Sequence, residues 1–139
     1  ALADRLAEAL TEMLHQKARV DWGYETSGEF SNDDLIAEKY RGIRPAPGYP
    51  ACPDLSEQQL IFDVLDPQRQ AGITLTESYA KVPTASVCGF YLAHPQAHYF
   101  AVGKIARDQV HDLANRKGVA PREIERILGA NLGYDPDEK

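Results

Sequence analysis

Leu2, Leu6, Ala9, Met13 and Ala18 recur at spacings of three to five, with Leu10 and Leu14 alongside. That rhythm predicts an amphipathic helix over residues 1–17, with Asp4, Arg5, Glu8 and Gln16 on its opposite face. Polar residues 23–30 break the pattern. Ser31, with Asp34 three positions on, has the spacing of a capping box and predicts a short helix to about Tyr40. Ser56 and Gln59 repeat that spacing and predict a helix that ends near Leu65, ahead of Pro67, with Gly72 as a later stop. Residues 73–80 favour strand, and residues 86–93 do so more strongly through Val87, Phe90, Tyr91 and Leu92. His94-Pro95-Gln96-Ala97 reads as a turn and residues 98–104 as the returning strand, so an antiparallel hairpin is expected. The last third is helical: residues 108–117 up to the stop at Gly118, then Pro121 opening a helix through Leu128 that buries Ile124, Ile127 and Leu128. The polar tail 134–139 is expected to fray.

These elements imply an α+β fold, a twisted antiparallel sheet with helices packed on it. The chain has 139 residues, 43% apolar and 26% charged, which suits one globular unit able to bury a core without staples. No window approaches the roughly 18 uninterrupted apolar residues of a membrane span, so no membrane association is expected. Lys plus Arg is 15 against 21 for Asp plus Glu, a formal charge of -6, which argues against non-specific nucleic-acid binding. Cys52 and Cys88 are too few for a disulfide scaffold or a four-thiolate zinc site, and a reducing cytoplasm is the simpler expectation. The early charges at Asp4, Arg5 and Glu8 do not fit a signal peptide. Ala1 in place of methionine, with helical rhythm from the outset, suggests an excised piece of something longer.

Little of the usual catalytic vocabulary is present. His15, His94, His98 and His111 are scattered, and two imidazoles around a turn make a weak metal signal. Neither cysteine has a sequence-local partner that would mark a nucleophile. No glycine-rich dinucleotide loop, Walker loop or nucleophile elbow occurs. Asp33 and Asp34 fit a helix start. Glu8 is set apart by its position beside apolar residues on the first helix. Residues 112–129 have the spacing of a helix-turn-helix, but Glu123 and Glu125 cancel Arg122 and Arg126, so two ordinary packed helices are favoured.

Residues 41–53, Arg-Gly-Ile-Arg-Pro-Ala-Pro-Gly-Tyr-Pro-Ala-Cys-Pro, hold four prolines and two glycines in thirteen positions. Such a segment excludes a helix and an inner strand. Within it, Arg44 can clamp a carboxylate with two parallel N–H bonds, Pro45 and Pro47 pre-order the backbone, and Gly48 lets a ligand approach the main chain. Tyr49 adds an aromatic face and a hydroxyl. The loop therefore reads as an amino-acid or nucleoside site, or else as a rigid connector.

This run resembles the signature of the activation domain of cobalamin-dependent methionine synthases, whose S-adenosylmethionine site carries Arg-x-x-x-Gly-Tyr, here Arg44, Gly48 and Tyr49. The opening Ala-Asp-Arg-Leu-Ala-Glu, Leu75-Thr-Glu-Ser78, Ala85-Ser-Val, His94-Pro95, Arg107-Asp-Gln-Val110 and Asn131-Leu-Gly-Tyr134 fit the same family, in order along essentially the whole chain. The resemblance implies that the chain is the C-terminal section of such a domain. It would bind S-adenosylmethionine and place the methyl group for reductive remethylation of cob(II)alamin. It would serve as part of a methyltransferase and be inactive as an isolated fragment. Arg44 would grip the methionine carboxylate. Ala46 and Gly48 would contact ligand through the main chain, and Tyr49 and Tyr99 would line the pocket. Glu8 would face the ammonium, and Phe100 stands where some members carry a second tyrosine. No residue of this stretch is expected to act as a catalytic acid or base or as a metal ligand. Cobalamin would be bound mainly by another domain of the same enzyme, zinc would belong to other modules, and a flavodoxin or flavodoxin-like protein would supply the electron. Two other expectations remain open: a non-catalytic protein-interaction module, and a standalone reactivation domain for another corrinoid protein.

Overall fold

The computed structural model describes residues 1–138; residue 139, the end of the tail, lies outside them. The elements follow in the order α1 (Leu2–Asp21), α2 (Asn32–Ile36), α3 (Glu57–Leu65), α4 (Pro67–Ala71), β1 (Thr74–Leu75), β2 (Lys81–Val82), α5 (Arg107–Lys117) and α6 (Pro121–Ile127), then a 3-10 turn at Gly129–Asn131. The class is α+β, with a sheet of two short antiparallel strands in the register Thr74↔Val82 and Leu75↔Lys81.

The best-packed core lies at the C-terminal end. Val110 and Ala114 of α5 meet Ile124 and Leu128 of the α6 region, with Ile105 and Leu132 closing the cluster. Local signals place these helices. The Gln109 side chain reaches back to the Ala106 N–H at 2.8 Å, Gly118 takes the left-handed conformation at φ 68°, and Pro121 occupies the first turn of α6. The tail is not frayed at Tyr134, whose ring packs on this core and whose hydroxyl donates to Glu125 Oε1 at 2.9 Å.

The capping box expected at Ser31 forms, with Ser31 Oγ accepting from the Asp34 N–H and Asp34 accepting from the Ser31 N–H. The one expected at Ser56 does not. Asp54 Oδ1 accepts from both the Ser56 N–H and its hydroxyl, and Gln59 turns to Asp63.

The hairpin is a larger difference. The paired strands are β1 and β2, upstream of the expected turn, and residues 86–93 do not pair with 98–104. Both segments lie against the proline-rich loop. Ile43 and Leu92 exchange two backbone bonds of 3.0 and 2.9 Å, the Phe90 N–H donates to Pro45 O at 2.9 Å, and the Val102 N–H donates to Pro50 O at 2.9 Å. In an antiparallel ladder the position two along from Ile43 would exchange a second pair, but Pro45 has no N–H to give. The ladder is therefore half-made there.

Helix α1 is rotated against its sequence pattern. Leu2, Leu6, Leu10 and Met13 are 72, 62, 51 and 53% exposed, while His15 and Arg19 are fully buried. The side that meets the rest of the described chain is the polar one.

Candidate functional site

The polar face of α1, the loop and the two extended segments enclose a cavity of about 450 Å³. Glu8, Thr11 and Leu14 come from α1, and Arg44, Pro45, Ala46, Tyr49, Pro50 and Ala51 from the loop. Residues 87–91 form a second wall, and Tyr99 and Phe100 a third. The volume lies within the range of small-molecule sites, and the wall is largely apolar and aromatic with a few polar groups, as such sites require.

Close backbone approach makes these walls. A Cβ on Gly89 would sit 2.6 Å from Pro45 O, so only glycine lets residues 87–91 come this near the loop. Gly48, at φ 93°, turns the chain into a tight bend closed by the Gly48 N–H to Cys52 O and Cys52 N–H to Tyr49 O bonds, both 2.8 Å. The bend projects Tyr49 outward. A Cβ on Gly48 would meet Leu55 Cδ1 at 2.7 Å, so this glycine faces the support rather than the cavity.

Arg44 is the best-connected polar group of the site. Its backbone N–H donates to the Tyr99 hydroxyl at 2.9 Å. Its Nη1 donates to the Tyr40 hydroxyl at 2.7 Å and lies 2.5 Å from Glu12 Oε2 in an ion pair. Among the described residues, Nε and Nη2 have no hydrogen-bond partner. Burial works to lower the Arg44 pKa, but Tyr40 and Glu12 outweigh it and the net direction is upward. Arg44 is a permanent cation.

Beneath Arg44 lies a buried aromatic and charged layer. The His15 ring stacks on Tyr91 at 4.8 Å between centroids and meets Tyr40 edge-on at 5.2 Å. Burial, then the nearby charges of Arg19 and Arg44, lower its pKa from 6.5 to about 4, so it is neutral at pH 7. Arg19 pairs through Nε with Glu25, both side chains being essentially inaccessible, and its guanidinium carbon lies 3.8 Å from the centre of the Tyr40 ring. The layer holds the Tyr40 side of the Arg44 contact in place.

Six of the seven residues singled out from sequence, Glu8, Arg44, Ala46, Tyr49, Tyr99 and Phe100, line this one cavity; Gly48 stands behind it. Sequence reasoning missed Glu12 and Tyr40, which hold Arg44, and the wall at 87–91. The spacing from Glu8 to Glu12 was the available signal, since positions four apart share a helix face. His94, His98 and His111 do not line the cavity. Among the described residues, no group of three or more His, Cys, Asp or Glu side chains is placed to hold a metal ion. Cys88 lines the cavity and its thiol donates to Gln58 Oε1 at 3.2 Å; burial pushes its pKa up, as it does that of Cys52. Neither thiol is activated for attack. Helices α5 and α6 share one core, and Glu125 at their junction receives the Tyr134 hydroxyl. Among the described residues, no helix is long and apolar enough to cross a membrane.

The arrangement can hold an amino acid with a flat apolar extension. Arg44 offers a carboxylate two parallel donors, Glu8 stands at the rim for a cation, and Tyr49 and Phe100 supply aromatic surface. The sequence profile of the family described as "Vitamin B12 dependent methionine synthase, activation domain" matches residues 1–118. A crystal structure of the MetH reactivation domain bound to AdoHcy is similar to the chain at 53% sequence identity and a TM-score of 0.91. The match covers 95% of this chain and 41% of that one, so the chain spans less than half of that relative's length.

Proposed function

This chain belongs to the family of vitamin B12-dependent methionine synthase activation domains, and on that premise we propose that its cavity binds S-adenosylmethionine. The role is to place the ligand's methyl group for reductive remethylation of cobalamin. The observation that carries this is the meeting of Arg44, Glu8, Tyr49, Ala46, Tyr99 and Phe100 around a cavity of about 450 Å³ in a chain 53% identical to a domain crystallised with AdoHcy.

The residues fit the ligand group by group. A free Nε–Nη2 edge on Arg44 suits the carboxylate, bound through two parallel charge-assisted bonds. Glu8 at the rim suits the ammonium, and Tyr49, Tyr99 and Phe100 suit the nucleoside. Phe100 gives area but no hydroxyl, so polar recognition on that side falls to Tyr99. The ligand itself supplies an electrophilic methyl on a sulfonium. The chain contributes position and exclusion of water, which needs no acid or base of its own. On this reading the chain acts within a methyltransferase, facing a cobalamin-binding domain of the same enzyme and served by a flavodoxin-like reductase.

Calorimetric titration with S-adenosylmethionine tests it. The chain should bind saturably, and Arg44→Ala should lose about 10- to 100-fold in affinity while staying folded, the worth of a charge-assisted pair of bonds. Absence of binding both by the folded chain and by the same chain joined to the rest of the homologous reactivation domain overturns the proposal. Unchanged affinity in Arg44→Ala overturns the assignment of the carboxylate.

A further inference from the structure

We propose that Glu12, with Tyr40, is a positioning residue that selects which edge of the Arg44 guanidinium meets the ligand carboxylate. The inference rests on the S-adenosylmethionine reading of the cavity. A guanidinium presents a carboxylate with two usable forks, one across Nη1 and Nη2 and one across Nε and Nη2. Here the Nη1 corner is taken on two sides, by the Tyr40 hydroxyl at 2.7 Å and by Glu12 Oε2 at 2.5 Å. A carboxylate approaching across Nη1 and Nη2 would meet the like charge of Glu12. The Nε–Nη2 edge has no partner among the described residues, and it is the fork left intact.

Two further observations point to this role. Glu12 Oε1 is buried with no hydrogen-bond partner among the described residues. A carboxylate with one oxygen buried and unpaired costs stability, so folding alone gives a poor reason for a glutamate there. Glu12 also lies one helical turn from Glu8, so a single face of α1 supplies the rim acid and the group that steers Arg44. Orientation matters in a site whose task is placement: one misdirected fork rotates the amino-acid end of the ligand and carries its methyl out of line.

The test compares S-adenosylmethionine with its decarboxylated analogue, titrated into the wild-type chain and into Glu12→Ala, Glu12→Gln and Tyr40→Phe. Glu12→Ala should weaken S-adenosylmethionine about tenfold and the decarboxylated analogue less than about twofold, because only the former uses the fork. Glu12→Gln keeps an acceptor oxygen beside Nη1 and should restore most of that loss. Tyr40→Phe should give a smaller loss confined to the same ligand. Thermal melts identify any variant that fails to fold; should Glu12→Ala be one, Glu12→Gln and Tyr40→Phe carry the comparison. Equal weakening of both ligands, or of neither, overturns the positioning role while leaving the binding site standing. A wild-type chain that binds neither ligand, alone or joined to the rest of the homologous reactivation domain, overturns the site itself and this role with it.

Discussion

The backbone N–H of Arg44 donates to the hydroxyl of Tyr99 at 2.9 Å, across 55 positions of sequence. One bond thus fixes both the start of the proline-rich loop and the tyrosine of the opposite wall. Tyr99→Phe keeps the ring and removes only the acceptor. Water can reach the freed N–H, so stability should fall by no more than about 1 kcal/mol. Affinity for S-adenosylmethionine should fall about 3- to 10-fold, because the loop that carries Arg44 loses its tie and the nucleoside side of the cavity loses the Tyr99 hydroxyl. Parallel melting and titration separate the two effects; a large loss of stability with unchanged affinity would contradict this account.

Arg19 and Glu25 form a buried ion pair, and Arg19 Nη1 and Nη2 find no hydrogen-bond partner among the described residues. Glu25→Ala would leave that guanidinium with only the Tyr40 ring for compensation. Breaking a buried pair from one side costs about 3–5 kcal/mol, and denaturant unfolding should show it. The double variant Arg19→Met, Glu25→Leu should recover much of the loss, since it removes both charges together.

His15 makes stability depend on pH in a defined window. Its pKa is about 4 in the fold against 6.5 outside it. The unfolded chain therefore takes up the proton first, and acid favours unfolding. The contribution of neutral His15 is fully present above pH 6.5, declines as pH falls, and is gone below about 4. It amounts to at most about 3 kcal/mol. Asp34, held near 2 chiefly by Lys39 and then Ser31, is lost at lower pH, below its ordinary 3.8. Urea unfolding at pH 7, 6, 5 and 4.5 should show the decline in wild type, and His15→Phe should flatten it.

Gly89 stands where a side chain would strike Pro45 O. Gly89→Ala must push the wall from the loop and strain the Phe90 N–H to Pro45 O bond. Overpacking of this kind costs about 1–3 kcal/mol, and ligand affinity should fall with it. A variant as stable and as tight-binding as wild type would show that the two segments are not held this close.

Cys88 lines the cavity and Cys52 does not. Burial raises both thiol pKa values, so alkylation at pH 7.5 should be slow at both. Saturating S-adenosylmethionine should slow it further at Cys88 alone, which peptide mass spectrometry after timed labelling can read. Equal protection of both cysteines would argue for global tightening instead of occupancy of the cavity.

What could be read from the chain divides along physical lines. Where one or two neighbouring residues decide an outcome, reading succeeded: Gly118 and Pro121 separate α5 from α6, and Ser31 with Asp34 starts α2. The loop was legible as an ordered, extended candidate site because its prolines, its glycines and Arg44 restrict what it can otherwise be. The partner of residues 86–93 was not legible. β-propensity reports that Val87 and Leu92 favour extended backbone, not which backbone will face them. Here Pro45 and Ile43 supply acceptors that the nearer segment 98–104 does not, and no local signal states that preference. Ser56 failed as a cap because Asp54, two residues earlier, is the stronger acceptor.

Helix α1 has one more consequence. Leu2, Leu6 and Leu10 lie on the side that faces away from the rest of the described chain, while Glu8 and Thr11 line the cavity. Anyone placing the helix by its apolar stripe would roll it half a revolution. The roll would swing Glu8 and Glu12 into the solvent and leave Arg44 without its counter-charge. The cavity would lose the wall that Glu8 and Thr11 give it. The helix thus gives Glu8 and Thr11 to the cavity wall and Glu12 to Arg44, while Leu2, Leu6 and Leu10 stay exposed.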